Sequence, residues 1–247
     1  MSVDVDIRDG VMVVTLNRPE AANALNAEVG AGVVDAMDRA SKDVDVRTVV
    51  ITGAGEKIFS AGMDLKAFAA GEDMSKVGAA FAALGACPKP LIAAVNGQAL
   101  AGGFEVVMRA DLVVAADHAR FGIPEVKRGL VAAGGGTRLP RRIPVQIALE
   151  MGLTGEPISA ARALELGLIN RVVPAAEVLD TAMGLATTIA ANGPLAVQAT
   201  KQLMLEELGP DTAEHVGKVT APVFASDDAK EGARAFAEKR APEWKGR

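Results

Sequence analysis

Glu105 and Glu125 stand twenty residues apart in Gly-rich, nearly uncharged sequence, Ala99-Leu-Ala-Gly-Gly-Phe-Glu105 and Phe121-Gly-Ile-Pro-Glu125. A carboxyl group among apolar residues and close backbone resists ionisation, because burial disfavours the charged form and a neighbouring like charge disfavours it further. Two such groups can divide the acid and base roles of one reaction.

Two Gly-rich loops could serve the same chemistry. Phe59-Ser-Ala-Gly-Met-Asp64 and Ala101-Gly-Gly-Phe-Glu105 each follow an apolar, strand-like run and precede helix-forming residues. That order aims the free N–H groups of a helix N-terminus at whatever lies above it. Two such loops can offer two donors to one developing oxyanion. Glycines in these places also make tight turns and helix caps, and either use fits one loop taken alone.

Other chemistries find little support. His118 and His215 are the only histidines, and no H-E-x-x-H, paired CxxC or G-x-S-x-G pattern is present. No metal is therefore expected. Ser60 has no evident base, and Cys87, before Pro88, reads as a small buried apolar residue. Gly134-Gly-Gly-Thr-Arg138 lacks the Lys-Ser/Thr ending of a P-loop, and no G-x-G-x-x-G opens a helix after a strand.

The chain has 247 residues, half of them apolar, enough for one large domain or two small ones with a substantial core. A formal charge of −5 gives no footprint for nucleic acid. A single cysteine and an N-terminus without a basic and apolar leader predict a cytoplasmic protein. The longest uncharged run, residues 181–200, is interrupted by Asn192-Gly-Pro194 and reads as two amphipathic helices, not a membrane span.

The elements that must position the glutamates follow from periodicity. Val3, Val5 and Ile7, the turn Asp9-Gly10 and the run at 11–16 predict a β-hairpin. Val29, Val33, Met37 and Ala40 make the apolar stripe of a helix over 26–42. Strands are expected at 48–52, 91–95 and 112–115, so the first part of the chain reads as α/β. Beyond residue 140 come helices at 143–151, 159–166, 175–190, 194–208 and 227–239, with Ser159 as an N-cap and Gly167 as a left-handed terminator. The segment 67–84 reads as a helix or a mobile lid, and no repeat of fixed period is visible.

A set of motifs spans the chain: Asn17-Arg-Pro, Asn23-Ala-Leu25, Ile51-Thr-Gly, Phe59-Ser-Ala-Gly-Met-Asp-Leu65, Lys89-Pro, Ala94-Val-Asn-Gly97, Ala101-Gly-Gly-Phe-Glu105, Ala110-Asp-Leu, Phe121-Gly-Ile-Pro-Glu125, Gly135-Gly-Thr-Arg-Leu139, Leu153-Thr-Gly155 and Glu231-Gly-Ala-Arg-Ala-Phe-Ala-Glu-Lys-Arg240. In order and spacing it resembles the crotonase (enoyl-CoA hydratase/isomerase) superfamily.

The resemblance implies an α/β spiral of repeated β-β-α units over residues 1–190. It also implies a C-terminal helical trimerisation region over 191–247, in a homotrimer or hexamer. It implies an acyl-CoA thioester as substrate, with coenzyme A entering as part of that substrate and no separate cofactor, and a place in fatty-acid β-oxidation. The oxyanion donors would be the backbone N–H groups of Met63 and Gly102. Ala22, Ala61, Asp64 and Leu65 would lie near the CoA moiety, and Phe236 and Lys239 would reach a neighbouring subunit's CoA site. Glu105 would activate water and Glu125 would protonate C2 of an enoyl thioester.

Ala132-Ala133 stands where the family pattern has Pro-Gly, and Glu20 where a basic residue is common. Residues 53–66 and 236–247 are also similar to carnitinyl-CoA dehydratases. The resemblance thus leaves open a carnitinyl-CoA-type dehydratase, an enoyl-CoA isomerase and a non-catalytic acyl-CoA binder beside the hydratase.

Overall fold

The structure, a computed structural model, describes residues 1–206, 221 and 224–243. Its strands are β1 (Val3–Arg8), β2 (Val11–Leu16), β3 (Thr48–Gly53), β4 (Ile58–Ser60), β5 (Leu91–Val95), β6 (Gln98–Leu100), β7 (Leu112–Ala116), β8 (Arg120–Gly122), β9 (Ile158–Ser159) and β10 (Arg171–Val173). They form two sheets, one of order β1-β2-β3-β5-β7-β10 and one of order β4-β6-β8-β9. The β1–β2 hairpin is present as expected, with Asp9 and Gly10 both at positive φ, 52° and 76°, the turn geometry that matches strand twist. From β2 onward the large sheet is parallel, and β3 and β5 are buried along their whole length. Burial on both faces is why these strands are continuous apolar runs without alternation.

Successive strands alternate between the sheets: β3, β5 and β7 enter the large one, β4, β6 and β8 the small one. This is the expected spiral of β-β-α turns. It leaves no fixed period in the sequence because its turns differ in length: they open at Thr48, Leu91 and Leu112, and the first carries extra helices. The three-residue strands β4, β6 and β8 lie below the length at which alternation can be read.

Helix α1 (Ala27–Lys42) has Asn26 as its N-cap, accepting from the Val29 N–H at 3.0 Å, and buries the expected stripe. Segment 67–84 falls in two helices, α2 (Leu65–Ala69) and α3 (Ser75–Ala86). A Cβ on Gly30 would come 2.6 Å from the Lys76 carbonyl oxygen, so α1 and α3 pack backbone to backbone there. Helix α4 (Gly102–Val107) follows β6. Phe59 of β4, Phe104 of α4 and Phe121 of β8 are fully buried, the last two with ring centroids 5.5 Å apart.

The later helices are α5 (Val145–Thr154), α6 (Ala160–Glu165), α7 (Val178–Ala190) and α8 (Pro194–Glu206), then the helix Asp227–Glu238. Ser159 caps α6, and Gly167 follows it at φ 70°. The uncharged run at 181–200 is two helices, and among the described residues no helix is long and apolar enough to cross a membrane. Residues 207 and 208 of the expected fourth helix, His215 and the last four residues lie outside the described residues.

Candidate active site

Because β4, β6 and β8 run parallel in one sheet, their C-terminal ends share one edge. The loops leaving that edge carry Met63, Gly102 and Glu125, in keeping with the placement of ligand sites beyond the carboxyl ends of parallel strands.

The first two loops touch. Gly62 has φ 87°, and a Cβ there would lie 2.6 Å from the Gly102 nitrogen; a Cβ on Gly102 would lie 3.4 Å from the Met63 nitrogen. Only glycine lets the two peptides lie side by side. A bridge to Leu25 holds the first loop: the Leu25 N–H donates to the Gly62 oxygen at 2.8 Å, and the Asp64 N–H donates to the Leu25 oxygen at 2.9 Å. That pairing turns the Met63 N–H away from Leu25. Ala101, at φ 51° and ψ −130°, sets the direction of the Gly102 peptide in a region alanine rarely visits. Among the described residues, neither the Met63 nor the Gly102 N–H donates to a backbone carbonyl.

Glu105 sits in the first turn of α4 and is 4% exposed. Its Oε1 accepts from the Gly136 N–H at 2.8 Å. Burial pushes its carboxyl above the usual range, while the amides of Gly136 and Gly135, Arg109 and the Gly134 amide pull the other way. Glu125 opens a 3-10 turn, Pro124–Arg128, with Pro124 at its first position. Burial and then the charge of Glu105 push its carboxyl up to about 8. Its Oε2 is buried without a hydrogen-bond partner among the described residues. Both carboxyls are thus shifted up, but N–H donors around Glu105 oppose its shift, whereas the charge of Glu105 adds to that of Glu125, which keeps an oxygen for another partner. This is the asymmetry an acid/base pair needs.

Beside Glu125 lies a cavity of about 250 Å³, lined by Ile123, Val126, Val131, Ala132, Leu139, Pro140, Ala148, Leu149 and Leu153, with Gly136, Thr137 and Gly152. Apart from Glu125 and Thr137 its walls are aliphatic or glycine.

The family model for enoyl-CoA hydratase/isomerase matches residues 6–247. The chain belongs to that family. A carnitinyl-CoA dehydratase of Proteus mirabilis is 43% identical, with 100% of this chain and 99% of that protein covered. The enoyl-CoA hydratase EchA19 of Mycobacterium tuberculosis is 45% identical, over 98% and 96%. Among solved structures, a carnitinyl-CoA dehydratase from Mycobacterium avium superimposes with a TM-score of 0.91 at 46% identity, covering 100% of this chain and 99% of that one.

In this family member the residues expected near CoA fall into two groups. Ala22, Ala61, Asp64 and Leu65 surround the Met63 loop: the Ala61 N–H donates to the Ala22 oxygen at 3.0 Å, and Leu65 opens α2. The Asp64 carboxylate caps α2 through the Lys66 and Ala67 amides and pairs with Arg18 at 3.0 Å, so it holds the loop in shape. Phe236 and Lys239 lie on the helix Asp227–Glu238 and its C-cap, and that helix packs on α2 and on the turn bearing Glu125 in the same chain. A Cβ on Gly232 would run into the Arg128 carbonyl, and the Arg128 guanidinium lies 5.1 Å from the centre of the Phe236 ring. Glu231 pairs with Arg234 of its own helix and ties the helix to the tail through Arg240 and the Glu243 N–H.

Sequence reading assigned no role to Arg109, and placed the loops with Gly62 and Arg18 and the run at 135–139 in the motif set without showing what these residues do individually. The glycines at 134–136 wrap Glu105, a use visible only once α4 is placed beneath them. Ser60 is structural: it donates to the Asn23 oxygen at 2.8 Å and accepts from the Gly62 N–H at 3.2 Å. Cys87 is buried, as expected of a small apolar residue.

Proposed function

We propose that this protein is an enoyl-CoA hydratase, adding water across the C2–C3 bond of an acyl-CoA thioester. The observation that carries this is the pairing of Glu105, which accepts from the Gly136 N–H, with Glu125, whose Oε2 is buried without a hydrogen-bond partner among the described residues, at the strand edge that also bears two adjacent backbone amides. In the forward direction Glu105 takes a proton from water as the water oxygen bonds to C3. The C2–C3 π electrons move toward C2 and the thioester carbonyl, whose oxygen gains charge facing the Met63 and Gly102 N–H groups. Glu125 delivers its proton to C2. The pair begins and ends with one proton between its members, so the reverse elimination uses the same residues in exchanged roles.

The cavity beside Glu125 supports an uncharged aliphatic acyl group. At about 30 Å³ per water-sized group, 250 Å³ holds on the order of eight heavy atoms. A carnitinyl group carries a quaternary ammonium, which is recognised by aromatic faces or carboxylates; here the lining is aliphatic and its one carboxyl is the neutral Glu125. On mixing with crotonyl-CoA and longer trans-2-enoyl-CoAs, the absorbance of the conjugated thioester should disappear. The C6 to C8 substrates should give kcat/KM at least about tenfold above that of a betaine-bearing thioester, since a buried cation without a partner costs well over 1.4 kcal/mol. Binding of the whole panel without turnover of any member would sink the lyase reading. Movement of the double bond without addition of water would favour the isomerase.

The same reading places the reaction in fatty-acid β-oxidation in the cytoplasm, and residues 191–247 as a trimerisation region beyond a spiral core of 1–190. Val145, Leu149 and Leu153 form an exposed apolar stripe on α5, and Leu195, Leu203 and Met204 are exposed on α8. Such surfaces are commonly covered by another subunit. Sedimentation equilibrium should return three or six times the chain mass of 25.3 kDa; a monomer at micromolar concentration would refute the assembly.

A further inference from the structure

Arg109 lies in the turn that leaves α4, two residues beyond Val107, with its N–H donating to the Val106 oxygen at 3.0 Å. Its Nη2 donates to the Gly134 carbonyl at 2.7 Å. Two residues on, the Gly136 N–H donates to Glu105 Oε1. The three-glycine segment is therefore held between Glu105 in the first turn of α4 and Arg109 in the turn that follows this helix. Space is tight at Gly134 and Gly136, and at Gly135 the backbone conformation is the constraint. A Cβ on Gly134 would lie 2.6 Å from Glu105 Oε2, one on Gly135 (φ 148°) would lie 3.6 Å from Arg109 Nε, and one on Gly136 would lie 2.5 Å from the Ala132 Cβ.

We propose that Arg109 is a positioning residue for the reaction, holding the 134–136 backbone around the Glu105 carboxylate so that this group enters the cycle as the anion. The proposal rests on the hydratase reading, in which Glu105 is the base. Among the described residues, the charged or titratable groups that face Glu105 are Arg109 from the turn after α4, Glu125 from the 124–128 turn, and Arg138 from the segment Gly136–Arg141. Arg138 and Arg142 in turn face Arg109. Arg109 opposes the burial that raises the Glu105 carboxyl, so removing it drives that carboxyl further up.

Arg109→Met should therefore move the acid limb of kcat/KM to higher pH by about one unit, the low end of the effect of an opposite charge nearby. Arg109→Lys restores the charge without the planar fork, so it should return the limb toward its original pH while leaving kcat reduced. A merely structural arginine would scale the rate equally at all pH values.

A second readout needs no turnover. The change in Tm between pH 5 and pH 8 should be more negative in Arg109→Met than in the parent, and that extra slope should vanish in the Glu105→Gln background. The sign follows because a carboxyl whose folded pKa rises loses stability as pH climbs above its unfolded value. An unmoved acid limb in Arg109→Met, or a Tm slope unchanged by Glu105→Gln, overturns the proposal. If Arg109→Met does not fold, Arg109→Lys decides it alone: parental kcat in that variant overturns the positioning role. If no enoyl thioester is turned over by the parent, the hydratase reading fails, while the Tm cycle still reports on the Arg109–Glu105 link.

Discussion

Glu105→Gln and Glu125→Gln are each expected to lower kcat for hydration by about 10²–10⁴, the range for loss of one positioned proton transfer, with thioester binding nearly intact. Glutamine keeps the shape of each side chain, and at residue 105 it keeps an oxygen to accept from the Gly136 N–H. What it removes is the exchangeable proton. The double variant should be little worse than either single one, since the two groups handle protons of one water and act as a unit. Stopped-flow turnover beside calorimetric binding of a saturated acyl-CoA measures both quantities, and near-parental turnover in either variant removes that residue from the mechanism. In the parent, forward hydration should fall as pH rises through about 8, where Glu125 gives up its proton.

In Glu125→Gln, stability should move the opposite way from activity. The folded pKa of Glu125, about 8, lies above its ordinary value of 4.5. The folded state therefore holds more protons between those values, and stability is lost as pH climbs through that window. Glu125→Gln removes the cost, so its Tm should exceed that of the parent at pH 8 and match it near pH 4. Each kcal/mol recovered raises Tm by about 2–4 °C for a chain of this size. A destabilised variant at pH 8 would show that the carboxylate is solvated or paired in the folded state.

Gly62→Ala should lower kcat by about 10²–10³, the usual loss on disabling one oxyanion donor. Alanine at φ 87° is strained, and its Cβ would press on the Gly102 nitrogen from 2.6 Å, forcing the two amides apart. Gly71→Ala separates the causes. Gly71 has φ 82° but no atom within 4 Å of its would-be Cβ. It should show only the backbone cost of about 1–2 kcal/mol in stability, with kcat unchanged. Equal activity in the two alanine variants would refute the two-amide oxyanion site.

Much of this protein is written locally. The hairpin at 3–16 follows from alternation and an Asp-Gly turn. Helix α1 follows from its stripe and Asn26 cap, and α6 from Ser159 and Gly167, because caps and periodicity act over a few residues. The glutamates were legible for a similar reason: carboxyls are rare in such apolar, Gly-rich sequence. The short strands β4, β6 and β8 were not, since three residues carry no period and form only because the larger sheet beneath fixes their ends.

Sequence by itself determined the α/β class, the two carboxyls and the likeness that points to acyl-CoA chemistry. Only the tertiary structure decided which glycines matter. Gly62, Gly136 and Gly232 look alike in sequence, but one admits a second amide, one gives its N–H to Glu105, and one lets a distant helix close on Arg128. The reason is physical. A missing side chain has meaning only through what occupies its space, and that neighbour comes from residues far along the chain.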